Sequence, residues 1–410
     1  MASGDELSTS NSFKVETPVA VNLLRSIAIY GPNAAGKSNF IKAMGAMEKI
    51  VLESSSKWQP GDAIPVSSFL LDSETESEPS EFEVILIADG VRYQYGFSAT
   101  TERVIEEWLI AFPVGRPQRW FSREWDYENK IYNWVMGNSL TGKKQLWQDS
   151  TRENALFLST AVQLNSQQLK PIYDWFKKTL RTVDSSLPGL GPSFTASLCK
   201  KENKQQEVLA FLKAADLDID NVVIEAEKFS GKHLPDDLPD DFKKKILEEM
   251  KDNEIFDIKT VHHTAQGKSI PFDLEDESDG TQKIFSFAGP WLDTLENGYV
   301  LFVDELHNNL HPKMVEFLVR LFHSNKTNPK NAQLIFTTHE TTILNQDFLR
   351  RDQIWFCEKN KIQATQLYPL TDFSPRKGRE NLEASYLTGR YGALPYIRDL
   401  KLAKEVQGGN

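Results

Sequence analysis

Eight consecutive residues, Gly31-Pro32-Asn33-Ala34-Ala35-Gly36-Lys37-Ser38, have the types and spacing that cradle a nucleotide's phosphates. Glycines at the first and sixth positions let backbone N–H groups wrap the phosphates. A helix opening directly after them adds the favourable end of its dipole. Lys37 reaches the β- and γ-phosphates and the Ser38 hydroxyl binds Mg²⁺. Asn39, at the helix start, completes the set expected to touch ATP. A glycine-rich surface turn is the bland alternative, and the context argues against it. The octet follows an apolar stretch (residues 21–30, VNLLRSIAIY) and leads into a helix expected from about Lys37 to Leu52.

A second group lies 267 residues on from Lys37. Residues 299–305 (YVLFVDE) form an apolar strand ending in two carboxylates. So apolar a strand is expected to be buried on both faces of a parallel sheet, with its C-terminal end at a nucleotide crevice. Asp304 is then expected to hold Mg²⁺ and Glu305 to polarise the attacking water as general base. Another 35 residues on, His339 follows the apolar stretch QLIF (333–336) in the turn Thr337-Thr338-His339-Glu340. A histidine there is expected to contact the γ-phosphate.

Between them, Ser278-Asp279-Gly280-Thr281-Gln282-Lys283 opens a helix whose apolar positions Ile284, Phe287, Ala288, Trp291, Leu292 and Leu295 recur at helical spacing. Ser278 can cap this helix and leave N–H groups free. Ser278, Asp279 and Gly280 are therefore candidates to touch the γ-phosphate of ATP held by a second copy of the chain. Asp279 must point away from that phosphate or engage a cation, because a carboxylate repels it. Pro290 inside the helix predicts a kink. Phosphate loop, long insertion, signature-like helix, Asp-Glu strand and histidine turn form the order of an ABC or SMC-type ATPase head. The expected fold is α/β with a β-rich lobe and a helical insertion.

These residues must be positioned by a chain of 410 residues, long enough for more than one lobe. Residues 1–63 are expected to form the first part of the ATPase core and 64–150 a β-rich lobe. Alternating strands there flank the hairpin signal Asp89-Gly90, and a second pair turns at Glu128-Asn129-Lys130. Residues 151–270 read as a helical lid or arm, with amphipathic helices over Leu169–Leu180 and Asp240–Met250. Residues 271–370 complete the core, and 371–410 form a tail. The polar stretch Met1–Ser12 leaves little room for the strand pair such heads place before the phosphate-loop strand. Its absence is expected to affect the usual adenine-stacking contact. Gln163 is the candidate glutamine-loop residue, with a plain helix-surface position as the alternative.

The composition is ordinary for a globular protein: 40% hydrophobic, 26% charged. No apolar run approaches the roughly 18 residues a membrane span needs. The N-terminus does not resemble a signal peptide. Cys199 and Cys357 lack metal-type spacing and read as free thiols of a cytoplasmic protein. A net charge of −11 argues against whole-surface binding of nucleic acid, leaving a local basic groove open.

The segments GPNAAGKSNFIKAM, ESDGTQK, FVDELHNNLHP, TTHE and RRDQIWFCEKN…YLTGRYGALPYI resemble the RloA/AbiLi group of AAA-type ATP-binding proteins, ABC-like ATPases of prokaryotic abortive-infection and restriction-associated loci. The group is related to OLD-family ATPases and more distantly to SMC and RecF heads. The resemblance implies an ATPase dimer, or a higher oligomer of dimers, serving as sensor or regulatory engine against phage. It further implies a phage-derived trigger and a separate effector such as a TOPRIM-type nuclease. It places Asn309–Pro312 where the group has its dimer-contacting loop, and it leaves Gly389-Arg390-Tyr391-Gly392 without a derived role. The rival readings are a RecF/SMC-like DNA-repair head, a self-contained nuclease using His262-His263, and a non-hydrolysing scaffold. Adjacent histidines on a strand face opposite ways, which argues against the second; Glu305 argues against the third.

Overall fold

The N-terminal strands that the sequence reading left out are present. β1 (Ser12–Val15) pairs antiparallel with β2 (Val21–Leu24), Phe13 opposite Leu23. Strands of only four residues carry too little periodicity to stand out. The computed structural model describes residues 10–183, 191–201, 203–234, 238–250 and 253–396.

β3 (Ser26–Tyr30) leads through the phosphate loop into α1 (Lys37–Glu53). An antiparallel meander follows: β4 (Ser80–Ala88), β5 (Val91–Ala99), β6 (Val104–Phe112), β7 (Gln118–Asp126) and β8 (Ile131–Met136). The Asp89-Gly90 hairpin forms as expected, both residues at positive φ (49° and 74°) as a two-residue primed turn requires. The inner face of this lobe packs Leu86, Tyr95, Phe97, Leu109 and Phe121 against Ile41, Met47 and Ile50 of α1. The short helices α2 (Lys144–Ser150), α3 (Phe157–Gln163) and α4 (Lys170–Asp174) close that core. Glu107, wholly buried, replaces an N-cap for α3: its carboxylate accepts the N–H of Phe157 (2.7 Å) and of Leu158 (3.0 Å) and faces Arg123 at 3.0 Å.

The insertion is not the helical arm expected over 151–270. β9 (Leu180–Val183) leaves it to become an edge strand of the central sheet. After α5 (Ser193–Cys199) and α6 (Lys204–Ala214) come β10 (Asn221–Lys228), α7 (Asp240–Glu249), β11 (Glu254–His263) and β12 (Ser269–Asp273). β10, β11 and β12 form a three-stranded antiparallel sheet. Most of its side chains are exposed or half-exposed, so charged residues fall on both faces and blur the two-residue alternation that identifies a strand.

α8 (Asp279–Asn297) runs unbroken through Pro290. The sequence reading expects a kink there, and α5 supplies the group that meets the interrupted ladder. Thr195 Oγ1 donates to the carbonyls of Phe285 (2.8 Å) and Ser286 (3.3 Å) and accepts the N–H of Gly289 (2.9 Å). Ser286 is four residues before Pro290, so this hydroxyl serves the carbonyl that proline cannot pair. β13 (Val300–Val303), α9 (Pro312–His323), β14 (Gln333–Thr337), β15 (Ile354–Lys359), β16 (Thr365–Pro369) and α10 (Leu382–Leu387) complete the chain.

The central sheet has the order β16-β15-β3-β14-β13-β9, with only β16 antiparallel to its neighbour among the described strands. Leu301 and Val303 enter the core beneath α8 and α9, while Val300 and Phe302 join the core shared with α1 and the meander. β13 is thus buried from both faces, as its apolar run implies. The expected α/β class with a β-rich lobe is the architecture observed. No described helix is long and apolar enough to cross a membrane.

Candidate active site

β3, β13 and β14 are parallel neighbours in close register, with Phe302 beside Ile335 and Phe336 beside Ala28. Their C-terminal ends therefore meet at one sheet edge. The loop after β3 carries Gly31–Lys37, the turn after β13 carries Asp304 and Glu305, and the turn after β14 carries His339. A cavity of about 430 Å³ opens there, lined by Asn33, Ala34, Ala35, Gly36, Lys37, Ser38, Asn39 and Glu305.

The loop is held from beneath by strands far away in sequence. The Ala35 carbonyl accepts from Thr365 Oγ1 of β16 (2.9 Å) and from Cys357 Sγ of β15 (3.4 Å). Thr365 lies so close to Gly36 that a Cβ there would sit 2.1 Å from its hydroxyl oxygen. Gly36 also takes φ 105°, in the left-handed region.

Lys37 is buried, and its three ammonium donors all find acceptors: Gly31 O at 2.9 Å, Pro32 O at 3.0 Å and His339 Nε2 at 3.0 Å. An ammonium can only donate, so Nε2 of His339 accepts and the ring proton belongs on Nδ1. Burial, then the neighbouring Lys37 and His307, pushes the His339 imidazole down to about 4. His339 is therefore neutral at pH 7. Burial also lowers Lys37, against the opposing pull of Cys357, Glu305 and Asp304.

Asp304 is 5% exposed, and its Oδ1 accepts from Thr337 Oγ1 at 2.6 Å. Glu305 reaches the cavity wall from a left-handed backbone (φ 48°), uncommon for a residue with a long side chain. Its N–H donates to the same Thr337 Oγ1 at 2.7 Å. His307 stands behind both turns. Its ring centroid is 5.3 Å from that of His339, its Nδ1 accepts the His339 N–H at 3.4 Å, and burial lowers its pKa. The sequence reading gives Thr337, His307, Cys357 and Thr365 no role at the site. Only Thr337 and His307 had a usable signal, their position within two residues of a chemically assigned neighbour.

Ser278, Asp279 and Gly280 are not among the residues lining this cavity. Ser278 caps α8, its Oγ accepting the Thr281 N–H at 3.2 Å, and Asp279 is exposed. Gly280 rests on the turn that follows Glu305: a Cβ there would be 3.3 Å from the Asn309 carbonyl oxygen. His311 caps α9 and Pro312 opens it. Gln163 is exposed at the end of α3 and does not line the cavity. His262 pairs with Glu277 (2.6 Å) and His263 with Asp220, so the two rings bond to separate carboxylates. Cys199 and Cys357 are free and buried.

A family model described as "AAA domain, putative AbiEii toxin, Type IV TA system" matches residues 26–345. No curated protein matches the chain in sequence. Among solved structures, an SMC head domain from Thermotoga maritima is similar at 12% identity and a TM-score of 0.35, over 87% of this chain and 97% of that one. An SMC head bound to the C-terminal winged-helix domain of ScpA matches at 12% identity and 0.33, over 88% and 98%. CbiO1 from Clostridium perfringens, part of the ABC transporter complex cbiONQ, matches at 11% and 0.30, over 91% and 87%.

Proposed function

The chain belongs to this AAA-domain family, and from that premise we propose that it is an ATP hydrolase whose catalytic sites form between two copies of the chain. One observation carries the reading: Lys37 and Glu305, drawn from separate loops, line one cavity of phosphate-loop backbone, and His339, from a third, meets Lys37 at 3.0 Å. In it Lys37 already holds its donors in acceptor contacts. Arriving phosphate oxygens take the place of His339 Nε2 as partner of the third donor. Lys37 then bears on the phosphates, and the released neutral imidazole faces the γ-phosphate.

Ser38 and Asp304 fit Mg²⁺, since both offer hard oxygen donors. Asp304 has one carboxylate oxygen anchored by Thr337, which leaves the other for the ion. When bound, Mg²⁺ neutralises phosphate charge. Glu305 accepts the attacking water's proton. Ser278, Asp279 and Gly280 of a second copy would close the cavity, with α8 N–H groups directed at the γ-phosphate.

The cellular role we propose is that of the sensor or regulatory ATPase of a prokaryotic anti-phage system. It acts in the cytoplasm, answers a phage-derived trigger and controls a separate effector, such as a TOPRIM-type nuclease. The family's printed description, which names a putative AbiEii toxin of a type IV toxin–antitoxin system, supports the defence context.

Glu305→Gln should retain ATP and lose turnover, whereas Lys37→Ala should lose ATP affinity. Gly280→Glu should bind ATP without cooperative turnover. Mixed with Lys37→Ala protein it should regain activity, because one intact loop then faces one intact α8 terminus. A monomer that hydrolyses ATP at the full rate, or a Glu305→Gln variant as active as wild type, would refute the mechanism.

A further inference from the structure

The two carboxylates assigned to metal and water are set by a third residue. Thr337 is the last residue of β14 and fully buried. Because β13 and β14 run parallel with Val303 beside Phe336, the next residues along, Asp304 and Thr337, come level at the sheet edge. Thr337 there directs both its hydroxyl and its carbonyl at the catalytic turn. Its hydroxyl proton goes to Asp304 Oδ1 (2.6 Å) and an oxygen lone pair takes the Glu305 N–H (2.7 Å). Its carbonyl takes the N–H of Leu306 (3.1 Å).

Two effects follow. The bond to Oδ1 restricts the rotation of the Asp304 carboxyl and leaves Oδ2 for the metal proposed above. The two backbone bonds bracket Glu305 at φ 48°, a conformation that persists only when its surroundings hold it there. We infer that Thr337 is a positioning residue for hydrolysis: one hydroxyl sets both the metal-directed carboxylate and the backbone of the general base. The inference rests on the roles proposed for Asp304 and Glu305.

Thr337→Val keeps the volume and β-branching while removing donor and acceptor together. Thr337→Ser keeps both. Positioning groups behind metal and catalytic residues typically contribute about 10–100-fold. The expected result for Thr337→Val is a kcat lower by about that factor, with KM for ATP changed less than about threefold because the phosphate-loop donors are untouched. Thr337→Ser should stay within about threefold of wild type in both. A second readout is independent of turnover. In a Glu305→Gln background, Thr337→Val should raise the Mg²⁺ concentration that half-supports binding of a fluorescent ATP analogue by about tenfold, and Thr337→Ser should not.

If Thr337→Val fails to fold, Thr337→Ala is measured in its place against the same thresholds. A folded Val or Ala variant with wild-type kcat and Mg²⁺ requirement overturns the inference. So does equal damage from Val and Ser, which would mean that the hydroxyl is not what matters. Should Glu305→Gln itself turn over ATP normally, the base assignment fails first, and the Mg²⁺ titration alone then judges the link to Asp304.

Discussion

Gly31→Ala is the substitution for which the geometry sets the sharpest expectation. A Cβ on Gly31 would lie 2.1 Å from the carbonyl oxygen of Cys357 and 3.1 Å from its carbonyl carbon. Carbon and oxygen in ordinary contact stand about 3.3–3.6 Å apart, so one side must move by roughly 1 Å. The Cys357 carbonyl belongs to β15, whose residues Trp355 and Phe356 pair with Ile29 and Tyr30 of β3. That strand is locked into the central sheet, and the phosphate loop is what yields. Gly31 also sits at φ 157°, where side chains other than hydrogen are rarely found. The loop carries the Gly31 and Pro32 carbonyls that hold Lys37. A displacement of about 1 Å in a positioned group costs on the order of 100-fold. Overpacking costs about 1–3 kcal/mol of stability besides. Titration with a fluorescent ATP analogue should therefore show about a 100-fold loss of affinity. Thermal unfolding should show a midpoint lowered by only a few degrees. Gly231→Ala, whose Cβ meets nothing within 4 Å, serves as the control and should change neither. A folded Gly31→Ala protein that binds ATP as wild type does would refute the claim that this contact shapes the phosphate site.

Other expectations concern stability. Glu107→Gln should destabilise the meander by about 3–5 kcal/mol in chemical denaturation. It leaves the buried Arg123 guanidinium without its carboxylate and gives the Phe157 and Leu158 N–H groups one acceptor oxygen instead of two. His323, buried against Ser26 (2.8 Å) and beside Arg320 and Arg25, is pushed down by burial to about 3. The unfolded chain takes up that proton at the ordinary imidazole range near 6.5, so it binds more protons than the folded chain between about 6.5 and 3. Stability is then retained above 6.5 and lost as pH falls through this window. His323→Gln should flatten the acid limb of unfolding free energy against pH by up to about 1.4 kcal/mol per pH unit; an unchanged slope would count against this reading of His323.

What was legible in the sequence shares one property: the chemistry forces it into neighbouring residues. A phosphate loop must be contiguous because successive N–H groups wrap one ligand, so Gly31–Ser38 can be read directly. An apolar strand ending in Asp304-Glu305 is readable because burial on both faces and abrupt charge adjoin. Asp89-Gly90 is readable because a two-residue hairpin demands positive φ at both positions. The failures arise where the partner is distant. Thr195, whose hydroxyl serves the carbonyl that Pro290 leaves unpaired, gives no sign in the sequence because it lies on another element. The sheet of β10, β11 and β12 was missed because its strands bury little and so lack an apolar alternation. Cys357 and Thr365 gave no sign of standing under the phosphate loop, since only the sheet order brings them there.

The late Gly389-Arg390-Tyr391-Gly392 run belongs to this second kind, and its role follows from what surrounds it. Tyr391 and Tyr386 are buried and stack on Phe356, centroids 5.5 and 5.3 Å away. Tyr386 also meets the ring of Tyr30 at 5.9 Å, and Tyr30 is the residue before Gly31. Gly392 is required by close approach: a Cβ would lie 2.8 Å from the Tyr368 hydroxyl and 2.9 Å from Glu358. The same segment grips the turn beyond His339. Thr341 Oγ1 donates to Glu383 at 2.7 Å, and Gln346 donates to the Arg376 and Glu380 carbonyls while accepting from the Gly378 N–H. The loop that presents Lys37 and the turn that presents His339 are thus braced by residues 376–393, all beyond the 26–345 span of the family match. Sequence patterns single out the residues proposed to face the nucleotide. The parts that keep Lys37 and His339 3.0 Å apart are spread over the rest of the chain.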